Sequence, residues 1–368
     1  MQKFLMILKK IKYYRVISLA LVAVLLVIGF ILKLVVSNGA NKYEEQNAYK
    51  RWDPDGKYAQ VSLFFKETRQ LEYDDIMQMN YDLEKRLELD VVEDSQDDGK
   101  DKPANKPRND DTARRKESVP DEEESEKRAY IECYSSKTQI SLQSQRTSLT
   151  VNAYAVGGDF FYFHPVKLLS GMYFSSDDLM HDGIILDEET AWKLFGSYDI
   201  EGQQIETGDS VLFVKGVYKK EDNKIFSYAR GDYDEIFIPY ELASENEGGA
   251  PAITCVEVCL PNPVKNYAAG LMTELIGKSG SECIMVENSE RFSVDNLWNV
   301  FKARKYRAMD NNDIIFPYWE KIARYEENIL APKTVWMCFC FIAAGTVFVC
   351  LVLYELTNLT RFKKSEDE

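Results

Sequence analysis

The chain has 368 residues, with 45 Lys and Arg against 60 Asp and Glu, and a formal net charge of −15. This length predicts one or two domains with a sizeable core, and the acidic balance argues against nucleic-acid binding, which needs a basic face. Only two histidines and seven cysteines are present, so histidine-rich metal sites and a scaffold built from disulfides have little support. We therefore expect a folded protein without a nucleic-acid partner.

Two apolar blocks near the ends of the chain predict membrane-spanning helices. Residues 16–36 carry one charge, Lys33, and residues 335–354 carry none. At about 1.5 Å per residue, either block spans the roughly 30 Å of a hydrocarbon core. A cleaved signal peptide is the alternative for the first block, but the block is longer than the usual apolar stretch of a signal peptide, and residues 37–40 make a poor cleavage site. We therefore expect an uncleaved anchor in the lipid bilayer.

The charges that flank these blocks predict the orientation in the cell membrane. Residues 1–15 carry five basic side chains and no acid, and the positive-inside rule places such a segment in the cytoplasm. Both termini are then cytoplasmic, with residues 1–15 as a basic amphipathic helix on the inner leaflet and residues 355–368 as a tail. Residues 38–333 carry a net charge of −20 and form the extracytoplasmic domain.

The extracytoplasmic segment alternates between strand and helix patterns. Apolar residues at every second position predict strands, and apolar residues three or four apart predict helices. The predicted strands cover residues 58–66, 129–142, 147–156, 184–186, 203–206, 211–218, 235–240, 253–260 and 283–286. The predicted helices cover residues 74–87, 188–195, 264–275, 294–306 and 314–330. The strand–helix–strand order at both ends of the segment predicts an α+β domain.

Residues 90–128 differ sharply in composition from their surroundings, because 23 of these 39 residues are charged. Such a stretch buries too little apolar surface to offset its ordering entropy, so it is predicted to be a disordered loop. The acidic run 121–124 raises the alternative of a Ca²⁺ site. No glycine-turned ligand loop accompanies the run, which favours a solvated, mobile segment.

Four cysteines fall in the extracytoplasmic domain: Cys133, Cys255, Cys259 and Cys283. Cys255 and Cys259 are four residues apart in a predicted strand, roughly 13 Å, and are too distant to pair with each other. Either could pair with Cys283 only if their strands are neighbours. Because no spacing here is typical of a metal or redox motif, we expect most of these cysteines to be free and buried.

Few residues are candidates for catalysis. His164 lies in an aromatic run and His181 is next to Asp182, but no Ser or Cys motif completes a nucleophilic set. A phosphate-binding glycine loop is missing, so ATP is expected to act only through a partner. Glu355, at the inner end of the second apolar block, could mark an ion path, but contact with headgroup-level water is favoured. The sequence therefore predicts no enzyme, and no catalytic, cofactor-binding or metal-binding residue.

Residues 158–217 contain an ordered pattern of turns and apolar positions. The pattern consists of Gly158-Asp159-Phe160-Phe161, Leu168-Leu169-Ser170-Gly171-Met172-Tyr173-Phe174, Ile184-Ile185-Leu186-Asp187-Glu188, Ala191, Leu194-Phe195-Gly196, Asp199, Gly202, Ile205 and Phe213-Val214-Lys215-Gly216-Val217. It resembles the MacB-like periplasmic core domain of ABC-transporter permeases. The resemblance implies a two-lobed α+β extracytoplasmic domain that is flanked by the two transmembrane helices and inserted directly after the first.

The resemblance also implies a function. We expect a non-catalytic, permease-like membrane subunit of an ABC transporter or mechanotransmission complex that acts through its extracytoplasmic domain. The expected partners are an ABC ATPase, another permease subunit, or both. The chain could form a homodimer or a heterodimer. Permeases of this family carry three membrane helices after the domain, whereas one is predicted here. The alternative is therefore a membrane-anchored extracytoplasmic binding or interaction module that has lost transport function.

Overall fold

The computed structural model describes residues 2–66, 68–69, 71–97, 128–145, 147–175, 178–208, 210–221, 223–230, 234–244, 249–277, 282–303, 314 and 316–366. The chain divides into two compact units. The first, called here the sheet unit, holds Ala48–Lys220 and Tyr233–Glu287. The second, called here the helix unit, holds Met1–Asn47, Glu221–Asp232 and Asn288–Glu368.

Helices and strands alternate along the described residues. The strands are β1 (Tyr58–Phe65), β2 (Ile131–Gln143), β3 (Ser148–Gly158), β4 (Leu168–Gly171), β5 (Gly183–Asp187), β6 (Gln204–Thr207), β7 (Ser210–Tyr218), β8 (Glu235–Pro239), β9 (Cys255–Pro261) and β10 (Cys283–Glu287). The helices are α1 (Gln2–Ala40), α2 (Ala48–Trp52), α3 (Tyr73–Asp97), α4 (Phe160–Phe163), α5 (Glu188–Phe195), α6 (Lys224–Arg230), α7 (Tyr240–Ser244), α8 (Tyr267–Ile276), α9 (Val294–Ala303) and α10 (Tyr318–Glu366). This mixture confirms the predicted α+β class.

All ten of these strands join one sheet. Its order is β10-β1-β9-β2-β3-β8-β5-β7-β4, and β6 pairs with β2 and β7. The long antiparallel hairpin of β2 and β3 connects the two ends of the sheet. Helices α3 and α8 pack at the β1–β9 end and α5 packs on β5 and β7, so the two lobes implied by the resemblance share a single sheet.

The two faces of β1 are both buried, but they differ in chemistry. Val61 and Leu63 join Val258 of β9 in the main apolar core. Ser62 and Glu257 alternate with these residues, are directly paired across β1 and β9, and are buried on the opposite face. Because successive side chains of a strand point to opposite faces, the sheet has an apolar layer on one side and a buried polar layer on the other.

Helix α5 has the bounds that the sequence predicts, because both of its ends carry strong signals. The Asp187 carboxylate accepts hydrogen bonds from the backbone N–H of Glu189 at 3.0 Å and of Thr190 at 3.2 Å. These bonds satisfy free N–H groups of the first turn. Gly196 ends the helix at φ 71°, a left-handed conformation that glycine adopts without strain.

Helix α3 is longer than predicted and enters the segment predicted to be disordered. It continues to Asp97, so residues 90–97 are helical and that part of the prediction is wrong. The sequence allows the extension, because the first Gly or Pro after Asp74 is Gly99 and acidic side chains alone do not end a helix. Residues 98–127, including the acidic run 121–124, lie outside the described residues.

Two long helices dominate the helix unit. Residues 1–15 are predicted to be a separate amphipathic helix, but from Gln2 they continue into the first apolar block as α1. The predicted helix 314–330, the second apolar block and the tail to Glu366 are likewise one helix, α10, which contains Pro332. Proline disfavours a helix interior without always ending it. Both helices are long and apolar enough to cross a membrane.

The four cysteines of the sheet unit are free thiols. Cys255 and Cys259 lie on β9 and Cys283 lies on β10, and β1 runs between these two strands. The condition for a disulfide with Cys283 is therefore not met, and the expectation of free cysteines is confirmed.

Candidate functional site

The candidate site is the antiparallel pair of α1 and α10, together with the segments that hold it outside the apolar blocks. Small residues allow the pair to approach closely. A Cβ atom placed on Gly29 would lie 3.1 Å from the ring of Phe341, and one on Gly39 would lie 2.8 Å from the side chain of Leu330. Glycine is common at such close helix–helix contacts. The pair is therefore packed along most of the apolar length of α1.

Both helices are longer than a bilayer requires. They contain 39 and 49 residues, which at about 1.5 Å per residue is roughly 58 and 73 Å, about twice the hydrocarbon thickness. Residues 318–331 of α10 precede the second apolar block, and Pro332 marks the boundary. A continuous helix thus joins that block to residues outside it.

A buried ionic network fixes the first turns of α10. Arg291 lies just before α9, and its guanidinium binds both carboxylate oxygens of Glu320, at 2.7 and 2.8 Å. Its Nε lies 3.1 Å from Glu327 Oε1, and its Nη1 donates to Asn288 Oδ1 at 3.0 Å. Arg324 Nε lies 2.7 Å from the same Glu320 carboxylate. These five residues form what we call the Arg291 network.

Opposite charges hold the Arg291 network together in a buried position. Arg291 and Glu320 are each only 2% exposed. Burial on its own would lower the pKa of Arg291, but the carboxylates of Glu320 and Glu327 outweigh it and raise that pKa above its ordinary value. A planar guanidinium matches the two oxygens of a carboxylate and keeps its charge at any physiological pH. The network is therefore a permanent joint between residues 288–291 and α10.

Apolar contacts strengthen the same joint. Val36 of α1, Leu297 of α9, and Leu330 and Ala331 of α10 form a buried cluster. Three partly buried side chains pack against this cluster: Phe292, Val300 and Phe301. Helices α1, α9 and α10 thus meet at the level just before Pro332.

A second segment of the helix unit binds the start of α10 through aromatic contacts. The guanidinium carbon of Arg230, on α6, lies 4.0 Å from the centre of the Tyr318 ring. Phe226 of the same helix lies 5.9 Å from the Tyr43 ring and 6.4 Å from the Tyr318 ring. A cation over an aromatic face stabilises such a contact. Residues that follow α1 and residues that begin α10 are therefore held by one short helix.

The structure separates the residues that the sequence singles out. His164 is buried and hydrogen-bonded to Glu257, whereas His181 lies 3.7 Å from Glu241 in a different part of the sheet unit. Glu355 forms an ion pair with Arg15 of α1. His164, His181 and Glu355 therefore do not form a common site in the structure.

The Arg291 network is the feature that sequence reasoning missed. Its signal is present in the predicted helix 314–330, where Glu320 and Glu327 are seven residues apart and hence two turns apart on one helix face. The partner, Arg291, is 29 residues away from Glu320. Spacing alone cannot identify such a partner.

The comparison with protein families decides what kind of domain this is. The sequence model of the MacB-like periplasmic core domain matches residues 16–269. The chain belongs to this family. This match confirms the resemblance seen in residues 158–217. Together with the two long apolar helices, one near each end, it makes the chain an ABC permease-like membrane protein.

Curated relatives match part of the chain. The macrolide export ATP-binding/permease protein MacB of Neisseria meningitidis serogroup A is 27% identical over 154 residues, which cover 41% of this chain and 23% of that protein. MacB of Neisseria gonorrhoeae has the same identity and coverage. The match thus spans less than a quarter of the length of either relative.

Two solved structures align with part of the chain. The periplasmic region of MacB from Actinobacillus actinomycetemcomitans aligns with 68% of this chain and 93% of its own, with a TM-score of 0.42 and 14% identity. The extracellular domain of the noncanonic ABC-type transporter YknZ from Gram-positive bacteria aligns with 43% of this chain and 81% of its own, with a TM-score of 0.33 and 14% identity.

Proposed function

We propose that this chain is a non-catalytic, permease-like membrane subunit that transmits movement between a partner ATPase in the cytoplasm and the extracytoplasmic domain. The observation that carries the proposal is the unbroken α10, which leads from the second apolar block to the Arg291 network. Helix α10 continues as one helix on both sides of Pro332, and the bidentate ion pair between Arg291 and Glu320 fixes the geometry of their contact. Displacement of one end of α10 would therefore be passed to its other end.

The chain connects this joint directly to the sheet. Residue Asn288, which binds Arg291, follows immediately after β10 in the sequence. One peptide bond therefore joins Asn288 of the Arg291 network to the end of β10, and this link is the proposed route for movement. ATP hydrolysis itself is the partner's reaction in this proposal, and the present chain contributes no catalytic residue.

The proposal requires both termini in the cytoplasm and residues 38–333 outside. Its test is labelling of a Ser125→Cys variant in intact cells with a membrane-impermeant maleimide, with the unsubstituted chain as the control for native thiols. Rapid labelling of the variant alone is the expected result. Protection of the new cysteine until the cells are opened would reverse the orientation and remove the proposal.

The partner is tested by purification of the full-length chain in a mild detergent. We expect an ABC ATPase to co-purify and to hydrolyse ATP in a vanadate-sensitive manner. Residues 1–15 could lie on the inner leaflet or bind the partner, and we propose that they bind it, so a variant with Phe4, Leu8 and Ile11 changed to Ser should insert into the membrane but lose the ATPase. Replacement of Arg361, Lys363 and Lys364 by Gln, in the tail, is the matched control and should retain it.

Two outcomes would count against the proposal. If no ATPase accompanies the chain under any mild condition, the anchored binding module becomes the better description. If the ATPase stays bound in the N-terminal variant, the docking surface proposed here is wrong although the partnership stands. The two results are distinguishable, because the first concerns the wild-type chain and the second only the variant.

A further inference from the structure

The sheet unit contains a second buried polar cluster, on the polar face described above. It consists of Cys133 on β2, His164 at the end of α4 and Glu257 on β9, and one donor atom of each lies within 4.8 Å of the others. Each of the three residues is at most 2% exposed. Three segments that are distant in sequence thus bring a thiol, an imidazole and a carboxylate to one enclosed point.

Strand register explains why two of these donors meet. Cys133 and Glu257 are directly paired across β2 and β9. Directly opposed residues of an antiparallel pair project their side chains to the same face, with Cβ atoms about 5 Å apart. His164 follows directly after α4, and the Phe160 ring of that helix packs against the imidazole with ring centres 4.8 Å apart and planes tilted by 43°. The aromatic neighbour limits the rotation of the imidazole.

The carboxylate is held from its far side. Ser62 Oγ donates to Glu257 Oε1 at 2.5 Å, and Gln60 Nε2 donates to the same oxygen at 3.2 Å. Gln60 is held in turn, since its Oε1 accepts from the backbone N–H of Ala48 at 3.0 Å. The other oxygen, Oε2, is hydrogen-bonded to His164 Nε2. Outer hydrogen bonds of this kind orient the first ligands of metal sites.

We propose that Cys133, His164 and Glu257 bind one Zn²⁺ ion. Thiolate sulfur, imidazole nitrogen and carboxylate oxygen are the ligands that Zn²⁺ takes in proteins, at about 2.0 to 2.3 Å, and with three protein ligands a water molecule would complete the tetrahedral set of four. The ion replaces the proton between His164 and Glu257, and binding releases the Cys133 thiol proton to solvent. The bound metal would join β2, β9 and the end of α4. This site is separate from the helix pair and does not depend on the proposed function.

The test supplies the metal while the protein folds, because the donors are buried. The full-length chain is produced in medium that contains Co²⁺ in place of Zn²⁺, under reducing conditions, and is purified through a tag without His or Cys. We expect about one cobalt per chain by elemental analysis and a thiolate-to-cobalt charge-transfer band in the near-ultraviolet spectrum. Other carboxylates of this acidic chain also attract divalent cations, but only a sulfur ligand gives that band.

Variants assign the band to the cluster. Cys133→Ser and His164→Gln should lose both the band and the bound metal, whereas Cys259→Ser, a buried thiol four residues from Cys255 on β9, should keep both. Ser62→Ala should keep the band but bind the metal about tenfold more weakly, the size of a typical outer-ligand effect. Absence of the charge-transfer band in the wild-type protein overturns the proposal. A band that is still present in the Cys133→Ser variant also overturns it.

Discussion

Two buried polar groups of this chain differ in their chemistry: the Arg291 network, and the group of Glu257, Ser62, Gln60, His164 and Cys133, called here the Glu257 cluster. The first places a permanently charged guanidinium between two carboxylates, and its charge does not titrate in the physiological range. The second places one carboxylate among a hydroxyl, an amide, an imidazole and a thiol. The difference shows that one chain can bury polar groups in two ways, as a permanently charged network in the helix unit and as a set of mixed donor atoms in the sheet unit.

The largest expected effect comes from removal of the permanent charge. Arg291→Met leaves Glu320 and Glu327 buried with their main partner lost, and should lower the free energy of unfolding by about 3 to 5 kcal/mol. Urea unfolding of the detergent-solubilised chain, followed by tryptophan fluorescence, measures it. Arg86→Met is the control, because its pair with Glu274 is more than half exposed on both sides and should cost less than about 0.5 kcal/mol.

A conservative variant sharpens this comparison. Arg291→Lys keeps the charge but loses the planar fork, so it should recover only part of the stability. Equal stability of the Lys and Arg forms would show that the geometry of the guanidinium is unimportant, and the joint would then be an ordinary ion pair.

The Glu257 cluster should respond less strongly to loss of its charge. Glu257→Gln keeps an oxygen that can accept from Ser62 and Gln60, but weakens the bond to His164, and should cost about 1.5 to 3 kcal/mol in the metal-free protein. The same urea titration after removal of metal measures this change. A loss as large as that of Arg291→Met would mean that the two networks do not differ in the way described.

The ion pairs of Asp234 with Lys193 and Lys220, in the sheet unit, should have the smallest effect on stability, and that effect should depend on pH. Burial on its own would raise the pKa of Asp234, but the hydrogen bond from Lys193 and the charge of Lys220 outweigh it and lower the pKa. A carboxylate with a lowered pKa stabilises the folded state above its unfolded pKa, and this contribution is lost as the pH falls through the folded pKa. Asp234→Asn should therefore flatten the decline in stability below about pH 4. An unchanged acid limb would contradict this assignment.

The elements that the sequence predicts well are those whose signals are local. Asp187 and Gly196 fix both ends of α5, and alternating apolar residues locate the β2–β3 hairpin. Short elements without such signals, including α4 and α6, are not predicted. The predicted helix 314–330 stops short of the observed end of α10, which continues through Pro332. Packing against α1 offsets the cost of a proline inside a helix.

The functional features are harder to predict than the fold, for a physical reason. Cys133, His164 and Glu257 come together only through strand register and the position of α4, and 93 residues separate His164 from Glu257. Each residue on its own fits a bland interpretation as a buried thiol, an aromatic-rich turn or a strand carboxylate. The chemistry emerges from tertiary contacts that no local pattern specifies.

Hydrogen–deuterium exchange tests the central claim, that movement passes along α10 to the extracytoplasmic domain. The measurement uses the co-purified complex in lipid nanodiscs, with and without ATP and vanadate. We predict that trapping of nucleotide changes exchange in residues 288–303 and 318–331, around the Arg291 network, and that Arg291→Met abolishes the change while ATP hydrolysis continues. Exchange that is identical in both nucleotide states throughout these residues of the wild-type chain would contradict the account.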